Sequence, residues 1–312
     1  MGWPVTPALA IALGTTMLWA VYIVMTRFAL HDGRIDPWAY TLVQLFSGGL
    51  FMAWLGRRAK GDWAGLLAPR MLAYGVLRVV VPGATTMALV HLAVAQTSLI
   101  GSANMVVAAA LAAALRGLVP GRSEVAGLAA LAAGIGVVIA TAPGGLANPG
   151  VWWALLSESL AVLSAYVIEF HPRNRDDDIA ARSRFTGELL IVTSLVLAIA
   201  WTAAGMLGLT RSPWQASGGG FGDPALWGWG IAAGLLFRGP GTWSGLWLIR
   251  HLGTAGFMIS LSLLPVLAIL AEQAAALAGW MAVPPLPPSL WLGAALIVAA
   301  SAWLMRLRLR GR

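Results

Sequence analysis

The chain has 312 residues, 59% of them hydrophobic and only 10% charged, far below the roughly 25% charge that coats a soluble domain. Its net charge of +8 comes with no nucleic-acid motif and with basic residues that border apolar blocks, so the charge reads as membrane topology and phospholipid contact. It lacks cysteine entirely, which excludes disulfides and thiol chemistry, and His31, His91, His171 and His251 are too dispersed for a metal site.

Apolar runs between charged or Pro/Gly-rich breaks predict ten helices near the bilayer-spanning length. They cover 7–27, 37–56, 71–93, 97–116, 124–141, 151–170, 185–208, 226–249, 254–279 and 289–306. Met1 to Ala10 has neither the basic flank nor the cleavage site of a signal peptide, so the first block is expected to stay as a helix. Its polar and aromatic residues Thr15, Trp19, Tyr22 and Thr26 recur at spacings of four and three, on one face. Such a face should point inward. The second block offers Gln44, the fourth Ser102 and Asn104, the sixth Tyr166 and the eighth Trp243 as further inward candidates. Trp3, Trp38, Trp54, Trp63, Trp214, Trp280 and Trp291 lie near block ends, where the amphipathic ring anchors at the headgroups.

Four charges fall well inside blocks, away from their ends: Arg78, Glu158, Arg238 and Glu272. A charge near the bilayer centre costs about 2.5–3.5 kcal/mol by insertion scales and persists when it is paired or faces a cavity. At ~1.5 Å per residue, Arg78 sits roughly 10 Å and Arg238 roughly 18 Å into their helices. A guanidinium does not neutralise, and its forked donors match a carboxylate or phosphate. The two arginines are therefore expected to bind substrate, or else to pair with Glu158 or Glu272. Glu158 can serve as a proton carrier or hold a substrate ammonium, and Glu272 suits a structural role. Glu169 and Glu188, near span ends, are expected to be solvated.

With the N-terminus cytoplasmic, 15 basic residues fall on that side: Arg57, Arg58, Lys60, Arg70, Arg116, Arg122, Arg173, Arg175, Arg182, Arg184, Arg250, Arg306, Arg308, Arg310 and Arg312. Arg27, Arg34 and Arg211 are the 3 on the other. That asymmetry predicts a multi-pass protein of a cell inner membrane with both termini inside.

The chain also echoes itself. His91 follows Arg78 by thirteen residues and His251 follows Arg238 by thirteen, at an offset of 160. Pro82-Gly83 and Pro240-Gly241 come after the two arginines, Thr97–Ala108 resembles Thr254–Pro265, and Gly127–Ala130 resembles Gly293–Leu296. Tyr22 and Tyr166 match at the far ends of the first and sixth blocks. The expected architecture is all-α, with ten transmembrane helices in two inverted five-helix repeats, 1–145 and 150–312. Transporters recurrently use this plan, with the substrate between the halves.

This arrangement resembles the drug/metabolite transporter superfamily, specifically its EamA-type permeases. The resemblance rests on Leu18-Trp19-Ala20, on the run Thr97-Ser98-Leu99-Ile100-Gly101-Ser102, on Thr254 through Leu264-Pro265-Val266 to Glu272, and on Gly127 and Gly293. The chain departs from the family at Ala108, Leu115 and Gln44, where Pro, Glu and Arg are usual. The resemblance implies export of an amino acid or related metabolite.

The function expected is a secondary transporter of a small metabolite, proton-coupled through Glu158 or exchanging. Membrane lipids are its surroundings, it is a monomer or homodimer, and no cofactor or nucleic acid takes part. The alternative is a polytopic enzyme or flippase acting on lipid. Its one acidic cluster, Asp176-Asp177-Asp178, alternates with arginines and reads as a solvated loop.

Overall fold

A computed structural model of the chain describes residues 5–61, 63–169, 171, 178–209, 220–280 and 286–310. Trp3, Arg173, Arg175, Asp176, Asp177, Arg211, Trp214 and Arg312 lie outside the described residues.

The protein is an all-α polytopic membrane protein. Its helices are α1 (Val5–Leu30), α2 (Pro37–Leu55), the single turn α3 (Trp63–Leu66), α4 (Pro69–His91), α5 (Val94–Gly101), α6 (Ala103–Arg116) and α7 (Arg122–Thr141). There follow α8 (Pro149–Glu169), α9 (Ile179–Met206), α10 (Pro224–Ala233), α11 (Gly239–Ser260), α12 (Leu264–Leu277) and α13 (Pro288–Arg310). Among the described residues, nine helical stretches are long and apolar enough to cross a membrane, α5 and α6 counting as one. The predicted eighth span is also helical, but it is built from α10, a π turn at Gly234–Arg238 and the first part of α11. It is therefore interrupted where a single regular helix was expected.

Helix starts follow local chemistry. Asp36-Pro37 opens α2 and Asp223-Pro224 opens α10. Each aspartate accepts a backbone N–H of the first turn, and each proline sits where no donor is needed. Asp178 caps α9 through Ala180 N at 2.8 Å. That cap starts α9 six residues before the predicted 185, because its first turns are polar and an apolar-run reading misses them. Arg184 and Glu188 pair there, one turn apart, at 2.7 Å.

Packing is inside-out relative to a soluble protein. Leu9, Leu13, Trp54, Trp152, Val196, Ile199 and Trp291 are exposed, while Thr16, Gln44, Thr86, Arg238 and Glu272 are buried. Lipid is the medium in which that distribution is stable, since it accepts apolar surface and penalises unpaired polar groups.

The main helix pairs are α2 with α9, α7 with α13, α4 with α8, and α1 with α11 and α12. Without a hydrophobic drive between helices, close contact depends on small residues. A Cβ on Gly187 would meet Ala53 N at 2.3 Å, so α2 and α9 touch backbone to backbone. Gly134 and Gly293 do the same for α7 and α13, each of their notional Cβ atoms lying 3.1 Å from the other's carbonyl. Gly136, two residues on from Gly134, faces open space.

Candidate functional site

A cavity of about 160 Å³ lies at the centre, walled by α1, α4, α5, α6, α8, α11 and α12 with the π turn. Four of the helical passages around it are irregular there. Pro82 sits inside α4, α5 breaks from α6 at Ser102, the π turn precedes α11, and a 3-10 turn at Leu261–Leu263 separates α11 from α12. In a membrane such backbone is tolerated where it lines a cavity or is covered by protein.

Arg238 ends the π turn and is 5% exposed. Small residues let α2 approach that turn: a Cβ on Gly234 would fall 1.8 Å from Ser47 Oγ, and one on Gly48 3.2 Å from Gly239 N. The guanidinium lies over two rings of α1, 4.9 Å from the Trp19 centroid and 5.7 Å from that of Tyr22. Such a contact stabilises a cation by about 0.5–2 kcal/mol, more as water is removed. Tyr22 donates to Gln44 Oε1 at 2.6 Å and meets Trp19 edge-on at 5.4 Å. Gln44 thus holds the ring that holds the arginine.

Arg78 reaches the same cavity from α4 and donates from Nη2 to Thr242 Oγ1 on α11 at 2.9 Å. The Nε atoms of both arginines are buried without a hydrogen-bond partner. Among the described residues, neither guanidinium forms an ion pair with a carboxylate.

Glu158 also lines the cavity, from α8. Asn104 Nδ2 donates to its Oε2 at 3.2 Å, and its other oxygen packs against Gly101, where a Cβ would sit 3.4 Å away. The Asn104 carbonyl oxygen is buried and unpartnered. The wall thus offers forked cationic donors with spare N–H groups, aromatic faces, and an amide–carboxyl pair with spare acceptors. A carboxylate or phosphate satisfies the cationic donors and an ammonium or hydroxyl the acceptors; an apolar molecule leaves both unpaired.

Of the residues expected to face inward, Trp19, Tyr22, Arg78, Ser102, Asn104, Glu158 and Arg238 line this cavity. Gln44 stands one layer behind. Thr15 is buried but turns its hydroxyl to Ile11 O within α1 at 2.7 Å. Tyr166 donates to Ala108 O at 3.4 Å and lies under Arg116. Trp243 borders a separate small pocket with Met52 and Arg182. The alternative, pairing of the arginines with Glu158 or Glu272, does not occur among the described residues. Glu272 accepts instead from Val94 N and Ala95 N, at 3.2 Å each, at the start of α5. Glu169 and Glu188 are not solvated as expected. Glu169 binds Arg116 and Thr254 N, and Glu188 is buried beside Arg184.

Tyr74, Thr85 and Thr242 also line the cavity and went unnoticed in the sequence. Tyr74 precedes Arg78 by four residues, Thr85 follows it by seven, and Thr242 follows Arg238 by four. Helical spacing from each buried charge was the available signal.

Residues 6–140 match the EamA-like transporter family. No curated protein matches the chain. A solved structure described only as "Crystal structure of protein" superposes with a TM-score of 0.60 at 18% identity, over 96% of this chain and 98% of that one. At that identity the likeness carries the fold alone. The match to the EamA-like transporter family thus covers residues 6–140, the first part of the chain, and supports a likeness to the drug/metabolite transporter superfamily.

Proposed function

We propose that this protein is a secondary transporter that exports a small anionic or zwitterionic metabolite, an amino acid or organic anion, by alternating access. The observation that carries the reading is the cavity chemistry. Two guanidiniums, Arg238 buried and Arg78 half-buried, share one cavity with no carboxylate partner among the described residues. Removing one partner from a buried ion pair is costly because the remaining charge is uncompensated. A bound carboxylate compensates both arginines, and the aromatic faces of Trp19 and Tyr22 hold Arg238 between cargoes.

The architecture supports the same reading. We take residues 1–145 and 150–312 as two inverted five-helix halves in a cell inner membrane, with both termini cytoplasmic. The principal helix contacts recur when the halves are exchanged. α2 with α9, α7 with α13 and α5 with α12 map onto themselves, and α4 with α8 maps onto α11 with α1. Two similar halves can rock between mirror-related states of similar energy.

The test is uptake and counterflow in proteoliposomes with a panel of amino acids, organic anions and amines. Anions or zwitterions should be carried, and Arg238→Ala should abolish their transport. If only cations are transported, the arginine reading is wrong.

A further inference from the structure

Two polar clusters at opposite ends of the cavity remain unused by the binding chemistry. At one end α4 turns into α5 at Leu92. Arg27 of α1 donates to the Leu89 and Val90 carbonyls before the turn, and Glu272 of α12 accepts from Val94 N and Ala95 N after it. At the other end α11 bends at Gly253, where φ is +70°. Glu169 of α8 accepts from Thr254 N at 2.9 Å just after that bend and is itself held by Arg116 of α6, also at 2.9 Å.

The two clusters correspond when the halves are exchanged, but with the charges reversed. The Leu92 end takes its arginine from α1 and its glutamate from α12. The Gly253 end takes its glutamate from α8, the partner of α1, and its arginine from α6, the partner of α12. Each ties a helix-to-helix turn of one half to a helix of the other. Between the clusters lie the four irregular points of the cavity wall, at Pro82, Ser102, the π turn and Leu261–Leu263. Interrupted helices bend at such points. The ends beyond them can then tilt while the middle keeps its contacts.

We propose that Arg27–Glu272 and Arg116–Glu169 are opposing latches, one at each mouth, and that their unequal strength sets which way the empty transporter faces. The inference rests on the alternating-access reading above. Glu272 is 2% exposed and grips two amides. The side chains of Arg116 and Glu169 are 35% and 17% exposed. A buried charge-assisted bond is stronger than a solvent-screened pair. The Leu92 latch therefore holds the harder, and the resting cavity opens at the Gly253 end.

The chain has no cysteine, so one introduced thiol reports access cleanly. Ala161→Cys places it in the cavity wall. A membrane-impermeant maleimide is added to one side only of right-side-out and of inverted vesicles, without any substrate. In the parent, labelling should be faster from the Gly253 side. Glu272→Gln should raise labelling from the Leu92 side by about tenfold or more, the factor for one charged hydrogen bond to a buried group. Arg116→Ala should move the balance the opposite way, by about twofold to fivefold for a part-exposed pair, and Arg116→Lys should restore it. A general loss of packing would raise labelling from both sides and would not be rescued by lysine; that result overturns the proposal. So does a balance that none of the variants moves. Labelling from one side alone in every variant would overturn the alternating-access reading as well.

Discussion

The Arg238 guanidinium carbon lies 4.9 Å from the centre of the Trp19 ring, joining the end of a π turn in the second half of the chain to the first helix of the other half. That contact is the platform on which the cavity's most buried cation rests. Trp19→Ala removes it. Loss of about 1–2 kcal/mol of cation–π stabilisation should raise the KM for transport roughly fivefold to thirtyfold. Trp19→Phe should fall between. Uptake kinetics in proteoliposomes measure both.

The guanidinium fork makes a second prediction. Arg238→Lys keeps the charge but loses the paired, planar donors. Its transport should drop by about tenfold to a hundredfold, corresponding to one or two charged hydrogen bonds, and Arg238→Ala should be worse still. Thr242→Val removes the hydroxyl that anchors Arg78 and should cost about tenfold for one hydrogen bond from a charged donor. A lysine as active as the arginine would show that geometry does not matter at this site.

Glu158 is the acidic side chain in the cavity wall, and Asn104 is its partner. Glu158→Gln removes its capacity to take up a proton while leaving its size and its hydrogen bond to Asn104. Accumulation driven by an imposed pH gradient should disappear, while counterflow, which needs no net proton movement, should persist. Equal loss of both would mean that Glu158 binds cargo and does not carry the proton.

Two glycine substitutions separate close packing from open surface. Gly187→Ala places a methyl 2.3 Å from Ala53 N. Since the obstacle is backbone, this should destabilise the α2–α9 contact by about 1–3 kcal/mol. Gly136→Ala meets nothing within 4 Å and should be neutral or stabilising by up to about 1 kcal/mol through helix propensity. Thermal unfolding in detergent should lower Tm for the first and not for the second.

Much of this protein is determined one segment at a time. Membrane residence follows from local hydropathy, because a helix must satisfy its own backbone in lipid. The Asp36-Pro37 and Asp223-Pro224 starts likewise depend on neighbours within one turn. The inward face of α1 and the two intramembrane arginines were legible for the same reason, since polar groups in a lipid-embedded helix need protein around them.

Partnership was not legible, because it depends on which faces meet across hundreds of residues. Glu272 could have paired with an arginine by charge alone, yet the fold brings it to two free amides at the start of α5. Glu169 looked solvated at the end of its span, yet α11 bends at Gly253 to bring Thr254 N against it. The π turn is invisible to a periodicity of 3.6, and by displacing that register it delivers Arg238 to the cavity. Sequence alone determined that this chain lies in a membrane and carries buried charge. Tertiary structure decided which charges face the cavity and which hold its two ends, because burial and distance set the energy of a charge and both are properties of the packed bundle.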